Sequence, residues 1–324
     1  MSDEKEQLKI AVLIPCFNEE ATIAKVISDF RKELPSADIY LYDNNSTDNT
    51  AEIARKEGAI VRFERRQGKG NVVRSMFREI ESDIYVMVDG DDTYPAESVH
   101  DLIGPIMRRE ADMVTGDRLS GRTYQRENKR PFHLFGNRLV VFFINILFKT
   151  SLHDDMSGYR AFSRYFVKTI SVLSEGFEIE TEIVLHALDK RFLIKEIPIV
   201  YRDRPKGSVS KLKTIKDGFK VMRTILWIFK DYRPLVFFGF WALIFFVVGL
   251  CAGIPAAILF FITFSMANVL YIILSLFLIF LSIILVSVGL ILDTVVKFHR
   301  LGYGRVINDY LMDNPVHIEK NRMG

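Results

Sequence analysis

A chain of 324 residues with 49% hydrophobic and 26% charged side chains is neither disordered nor a single small module, and it can hold two domains. A net charge of +3 gives no general basis for nucleic-acid binding, so no nucleic-acid partner is expected. The charge is unevenly spread: residues 234–292 carry no Asp, Glu, Lys, Arg or His, which excludes a purely soluble protein.

Residues 1–9 are polar and lack the apolar region of a cleavable signal peptide, so membrane insertion is expected to come from the C-terminal block. Apolar, β-branched runs at 8–14, 38–42, 59–63, 83–88 and 112–115 predict strands. Amphipathic stretches at about 20–34, 48–57, 70–81 and 96–110 predict the helices between them. Strand and helix alternating in this way imply βαβ units and a mostly parallel sheet, whose ligands gather at the carboxyl ends of the strands. The two cysteines, Cys16 and Cys251, form no disulfide framework, which suits a reducing compartment.

Residues 132–149 are rich in Phe, Leu, Val and Ile but are interrupted by Asn137, Arg138 and Asn145, so an interfacial helix is expected rather than a span. Residues 202–233 hold ten Lys/Arg against three Asp, and 211–231 places Ile215, Phe219, Met222, Leu226 and Phe229 at helical spacing. A basic amphipathic helix next to a membrane span is expected at headgroup level, and for this helix and that of 132–149 alike packing onto the folded domain is the alternative. The uncharged block is long enough for two spans, at about 235–262 and 268–292, with a kink at Pro255. Basic residues flank both outer ends (Lys230, Arg233, Lys297, Arg300) and none lies in the connection, so both termini are expected in the cytoplasm, on the inner membrane.

Three strand ends carry polar clusters. Asp89-Gly90-Asp91-Asp92 offers carboxylates two apart around a glycine, oxygen ligands of the kind Mg2+ or Mn2+ prefers; a solvated, helix-capping turn is the alternative. Asp43 and the loop Asn44-Asn45-Ser46-Thr47-Asp48 could accept hydrogen bonds from a base or ribose, although Thr47 or Asp48 also makes a good helix cap. Arg66-Gln67-Gly68-Lys69-Gly70 places two cations and two glycines at a helix N-terminus, a common way to hold phosphate. Together they point to a nucleotide-diphosphate and metal site.

With Ile14-Pro15-Cys16-Phe17-Asn18-Glu19-Glu20, Gly116-Asp117-Arg118, Asp155-Met156-Ser157-Gly158-Tyr159-Arg160 and Arg204-Pro205-Lys206-Gly207-Ser208-Val209-Ser210-Lys211, the chain resembles family 2 glycosyltransferases. Among these it is most similar to the polyprenyl-phosphate glycosyltransferases, which include dolichol-phosphate mannose synthase and bacterial undecaprenyl-phosphate glucosyltransferases. The resemblance implies an α/β fold: a GT-A (Rossmann-like, mostly parallel) catalytic domain over 1–210 with the interfacial helix inside it. A basic juxtamembrane helix (211–233), a two-helix membrane hairpin (234–293) and a cytoplasmic tail (294–324) would follow. Pro15, Phe17, Glu19 and Asp43 would line the base pocket, with Lys69 and Gly90 completing the donor site. Asp89 and Asp91 would hold the metal, and Asp89, Asp91, Arg118 and Asp155 would form the catalytic set. Arg118, Lys129, Arg202, Arg204, Ser210 and Lys211 would face the acceptor phosphate.

Two departures bear on the donor. Asn44 stands where many relatives have a second Asp. Lys129, His133 and Asn137 replace the Arg, Ser and Asn of the mannose synthases, which keeps the cation, loses the hydroxyl and favours a uridine nucleotide. The implied reaction is inverting, metal-dependent transfer of a hexose from UDP-glucose or a related donor to polyprenyl phosphate at the bilayer, by a homo-oligomer with a tetramer as the candidate. Asp155 is read as an orienter of Arg118 or Arg160 in preference to a base. The alternatives are a GDP-mannose-dependent enzyme, a processive polysaccharide synthase and a non-catalytic membrane scaffold.

Overall fold

The strand β1 (Ile10–Cys16) has Ala11 to Ile14 wholly buried, as expected of a central parallel strand covered on both faces. The computed structural model describes residues 8–120, 131–176, 178–202, 223 and 225–313, which fall in two compact units divided after Val221. In the first unit β1 pairs in parallel with β2 (Asp38–Asp43) and β4 (Ile84–Met87), and β3 (Ile60–Phe63) adds to β2. The helix α1 (Ile23–Glu33) buries Ile23, Val26, Ile27 and Phe30, one stripe at helical spacing. It starts later than predicted because Glu19 O is taken by both Thr22 N and Ile23 N, which closes a turn first. The helices α2 (Thr50–Lys56) and α3 (Lys69–Glu79) follow β2 and β3. The helix predicted over 96–110 is a 3-10 turn (Ala96–Ser98) followed by α4 (Val99–Met107).

Among the described residues five of the seven strands are those predicted, β5 (Met113–Asp117) included, and the sheet order is β3-β2-β1-β4-β6-β5-β7. The strands not foreseen are β6 (Arg160–Ser163) and β7 (Ile194–Pro198). Their sequences hide them: β6 has four residues that include Arg and Ser, and β7 carries Lys195 and Glu196 at the sheet edge. The orientation of β6 positions the site. It runs antiparallel to both neighbours, pairing Arg160 with Met87 and with Thr115. An antiparallel strand begins where its parallel neighbours end, so the loop before β6 lies at the carboxyl ends of β4 and β5.

The helix α5 (Pro131–Phe148) matches the segment predicted to be interfacial, yet one face is packed: Asn137, Val140, Val141 and Ile144 are buried, and it lies against α7 (Ile179–Asp189). Phe142 and Ile146 on the other face are exposed. A short helix, α6 (Arg164–Thr169), follows β6 and starts on Ser163, whose hydroxyl accepts from Phe166 N.

The second unit contains α8 (Pro234–Thr263) and α9 (Met266–Asp313), both long and apolar enough to cross a membrane. Pro255 lies within α8, which continues through it. The second span was expected to end near residue 292, but the helix continues to Asp313. Composition changes there without any helix-stopping signal, and Asp293 and Lys297 pair at 2.8 Å across one turn. The two helices meet at small residues: Ser275 Oγ donates to Gly249 O at 2.7 Å, and a Cβ at Gly253 would fall on the same hydroxyl.

Both tryptophans, Trp227 and Trp241, belong to this second unit, so their fluorescence reports on it alone. Ser275→Ala is expected to cost about 0.6 kcal/mol, the average for an interhelical hydrogen bond, and Gly253→Val at least twice as much. Unfolding of the detergent-solubilised chain followed by tryptophan emission measures both, and equal stability of Gly253→Val and wild type would disprove the close contact.

Candidate active site

The loops after β1 and β2 are laced together. Asn18 N donates to Ser46 Oγ at 2.9 Å, Thr47 N to Asn18 Oδ1 at 2.7 Å and Glu19 N to Thr50 Oγ1 at 2.9 Å. Asn18 and Asn45 adopt positive φ, a conformation asparagine tolerates better than most residues. Pro15, Phe17 and Glu19 are half-buried along this seam and Asp43 is buried, with Asp43 Oδ1 accepting from Ser46 N at 3.2 Å. The N-cap of α2 is Asn49, and Asp48, one residue earlier, accepts from Thr50 N at 3.0 Å. Asn44 has a structural task. Its amide donates to Glu64 O and Arg66 O, at 3.1 and 2.8 Å, while its oxygen accepts from Gly68 N at 2.7 Å. A carboxylate could not make those two donations.

The α3 N-terminus does not present an open phosphate cradle. Gly70 N donates to Glu175 O at 3.0 Å, and side chains at Gly68 or Gly70 would strike the backbone of residues 174 and 175. The glycines admit that segment, which is held in turn by Glu182 accepting from Leu173 N and Ser174 N, both at 2.8 Å. Lys69 points into the site, with its ammonium 2.5 Å from Asp89 Oδ1 and 2.7 Å from Glu180 Oε1. Burial alone would lower its pKa, but the two carboxylates outweigh that effect and raise it, so Lys69 is charged.

Asp89 and Gly90 follow β4. A side chain at Gly90 would press on Cys16 Sγ, and one at Gly158 would fall on the Asp89 carboxylate, so glycine at 158 is what lets the loop before β6 approach that carboxylate. Asp91 is buried and its Oδ1 accepts from Thr93 Oγ1 at 2.6 Å. Asp92, the next residue, pairs with Lys25 at 2.7 Å and adopts φ 57°.

Asp155 was expected to orient Arg118 or Arg160; the Arg118 side chain pairs with the neighbouring Asp154. Arg118 Nε and Nη2 reach the two Asp154 oxygens at 2.7 and 2.8 Å, a bidentate fork, and Asn137 of α5 donates to the same carboxylate at 3.0 Å. Burial would raise the pKa of Asp154, but Arg118 outweighs it and holds the group below its ordinary value. Asp155 is wholly buried, and Thr181 Oγ1 donates to its Oδ2 at 2.9 Å. Among the described residues its Oδ1 has no hydrogen-bond partner, and burial raises its pKa to about 7. The expected link to Arg160 exists through the backbone: Arg160 donates to Asp155 O, to Ser157 O at 2.9 Å and to Glu180 O at 2.9 Å.

Asp154, Glu180 and Thr181 were missed, and Asn137 was noted without its partner, because their roles come from tertiary placement. Successive residues 180, 181 and 182 of α7 each serve a different partner, a pattern without a periodic signature. Asp117, His153 and Glu196 also cluster closely enough to hold a cation, with His153 Nδ1 3.1 Å from Glu196 and 3.9 Å from Asp117. Glu196 accepts from His153 N and Asp154 N as well, so it anchors the loop that carries Asp154. Arg202 is half-exposed beside Glu97 at 3.4 Å, and its N–H bonds Thr93 O at 2.9 Å. Lys129, Arg204, Ser210 and Lys211 lie outside the described residues. A divalent cation suits the donor chemistry of Asp89 and Asp91, hard carboxylate oxygens at one strand end, and 28% of the Asp89 side chain is exposed to admit it.

Residues 11–171 match the family described as Glycosyl transferase family 2. Over 236 residues the chain is 33% identical to glycosyltransferase AglJ of Haloferax volcanii, covering 71% of this chain and 75% of that protein. It is 26% identical over 267 residues to the dolichyl-phosphate beta-glucosyltransferase of Saccharomyces cerevisiae, covering 71% and 79%. The fold is similar to glucosyl-3-phosphoglycerate synthase from Mycobacterium tuberculosis in complex with Mn2+, uridine diphosphate and glucosyl-3-phosphoglycerate. For that structure the TM-score is 0.55 at 22% identity, over 69% of this chain and 79% of the other. A mostly parallel α/β sheet with this strand-end site, and a relative of this identity and coverage, make the chain a member of glycosyl transferase family 2 and a glycosyltransferase.

Proposed function

We propose that this glycosyltransferase moves a hexose from a UDP-sugar, with UDP-glucose the leading candidate, to polyprenyl phosphate at the cytoplasmic face of the inner membrane, with inversion at the anomeric carbon. The observation that carries this reading is one chain joining a strand-end carboxylate site to a basic segment and two apolar helices. The yeast relative named for dolichyl phosphate and the similar fold crystallised with Mn2+ and uridine diphosphate support the acceptor and donor classes. The domains divide as 1–210, 211–233, 234–293 and 294–324. Both termini are cytoplasmic, and the exposed face of α5 carrying Phe142 and Ile146 meets the headgroups.

Asp89 and Asp91 would hold Mg2+ or Mn2+, which when bound neutralises charge on the departing diphosphate. Lys69 adds a fixed positive charge on the same side. Pro15, Phe17, Glu19 and Asp43 form the wall against which the base rests, with Gly90 beneath it. A phosphate monoester is mostly dianionic at neutral pH, so the acceptor attacks without a base to deprotonate it. Positioning and charge neutralisation therefore dominate the catalysis. Arg202, with Lys129, Arg204, Ser210 and Lys211, would receive the acceptor phosphate, and Arg118 backs them through its pair with Asp154. Asp155, buried and bonded to Thr181, holds loop geometry in preference to moving a proton.

Incubating the detergent-solubilised full chain with labelled UDP-sugars and polyprenyl phosphate should give a chloroform-soluble product. Gly158→Ala, which displaces the Asp89 carboxylate, should lower kcat at least about a hundredfold with the circular dichroism spectrum unchanged. A polymeric product, or no transfer from any UDP-sugar, would defeat the proposal.

The buried Asp155 sets a pH dependence whose sign follows from its raised pKa of about 7. The folded chain holds that proton more tightly than the unfolded chain, so stability increases as pH falls through 7 and the full cost of a buried charge applies above it. Asp155→Asn never becomes charged. Melting temperatures at pH 6, 7 and 8 should therefore rise less toward acid in Asp155→Asn than in wild type, and parallel pH profiles would refute the assignment.

A further inference from the structure

The Lys69 ammonium has two counter-ions from separate elements. Asp89 Oδ1, at the end of β4, is 2.5 Å away, and Glu180 Oε1, in the first turn of α7, is 2.7 Å away. Only 8% of the Lys69 side chain and 9% of the Glu180 side chain are exposed. Glu180 is itself fixed, because its carbonyl accepts from the buried Arg160 at 2.9 Å. One carboxylate suffices to neutralise one ammonium, so the second needs a reason. Asp89 is the more open of the pair of carboxylates, with 28% of its side chain exposed. It is also the one placed for a divalent cation, and a cation and an ammonium on the same carboxylate oxygen repel one another.

We propose that Glu180 is a positioning residue that holds the Lys69 ammonium in the site when Asp89 turns to a divalent cation. The competition between Lys69 and the cation for Asp89 keeps the cation's hold weak until a diphosphate adds its own oxygens and draws the ammonium toward itself. Metal and donor then bind as a pair. The inference rests on the assignment of Asp89 to the metal made in the proposed function.

The test titrates the full chain in detergent with Mn2+ alone and follows free Mn2+ by its electron paramagnetic resonance signal. Lys69→Met should tighten Mn2+ binding about tenfold, and Glu180→Gln should weaken it about threefold to tenfold. In the Lys69→Met background, Glu180→Gln should change the dissociation constant by less than about twofold, since no ammonium remains to be held. With saturating UDP the gain from Lys69→Met should disappear. If Lys69→Met fails to fold, Lys69→Gln makes the same comparison. Mn2+ binding that is unchanged or weaker in the lysine variants, or a Glu180→Gln effect of equal size in both backgrounds, overturns the inference. Asp89→Asn separates the two readings: wild-type Mn2+ affinity in that variant defeats the metal assignment and the inference with it. Lost affinity in Asp89→Asn beside an unmoved lysine variant defeats the inference alone.

Discussion

The buried guanidinium of Arg160 is the constraint on which the site depends. It is wholly inaccessible, and it donates hydrogen bonds to three backbone carbonyls, of Asp155, Ser157 and Glu180. A charge removed from water costs several kcal/mol unless it is well paired and hydrogen-bonded, so the surrounding chain is obliged to supply acceptors. The loop before β6 and the first turn of α7 supply them, and in doing so they are fixed to the first residue of β6. Asp154, Asp155, Gly158, Glu180 and Thr181 all inherit their positions from this arrangement. Burial pushes the Arg160 pKa down, while the nearby carboxylates of Glu180, Asp155 and Asp154 oppose that shift.

Cations and carboxylates alternate through the rest of the site. Lys69 lies between Asp89 and Glu180, and Arg118 forks onto Asp154 beside an Asp155 whose carboxyl is pushed toward neutrality. Each strong charge is therefore partly answered from within the chain. Pre-set electrostatics of this kind reduce the reorganisation needed when charge moves during a reaction. They also oblige a polyanionic ligand to compete with internal carboxylates for the same cations, which favours ligands that bring a metal.

The parallel half of the fold was legible because its information is local. β1, β2 and β4 are apolar runs with polar ends, and α1 presents a stripe at Ile23, Val26, Ile27 and Phe30. Asp89 and Lys69 could be singled out for the same reason: each is a conspicuous residue beside a glycine at a strand or helix end. The meaning of Gly68 and Gly70 was not legible, since what crosses them is a segment about a hundred residues further on. Asp155 was read as the orienter of either Arg118 or Arg160; its backbone carbonyl meets Arg160 while the Arg118 side chain takes Asp154, a choice between two consecutive acids that is made by the packing of Asn137 and Thr181 and not by local sequence. The end of the second span was placed by composition, whereas the helix follows backbone hydrogen bonding and runs on.

The antiparallel β6 has a further consequence, for the order of folding. In the sheet order it joins β3-β2-β1-β4 on one side to β5-β7 on the other. The first group can pair as soon as residue 87 has been made, since β1 and β4 are neighbours in register. The second group needs β7, and within the sheet β6 is the strand that joins the two halves, between β4 and β5. Non-local pairings of this span are slow to form because the chain between them must first be ordered. The most non-local pairings of the sheet therefore lie in its interior, and the same pairings bring Gly158 up to Asp89. The candidate site is thus completed by long-range pairings, so a chain in which they had not formed would keep most of its secondary structure while lacking a site.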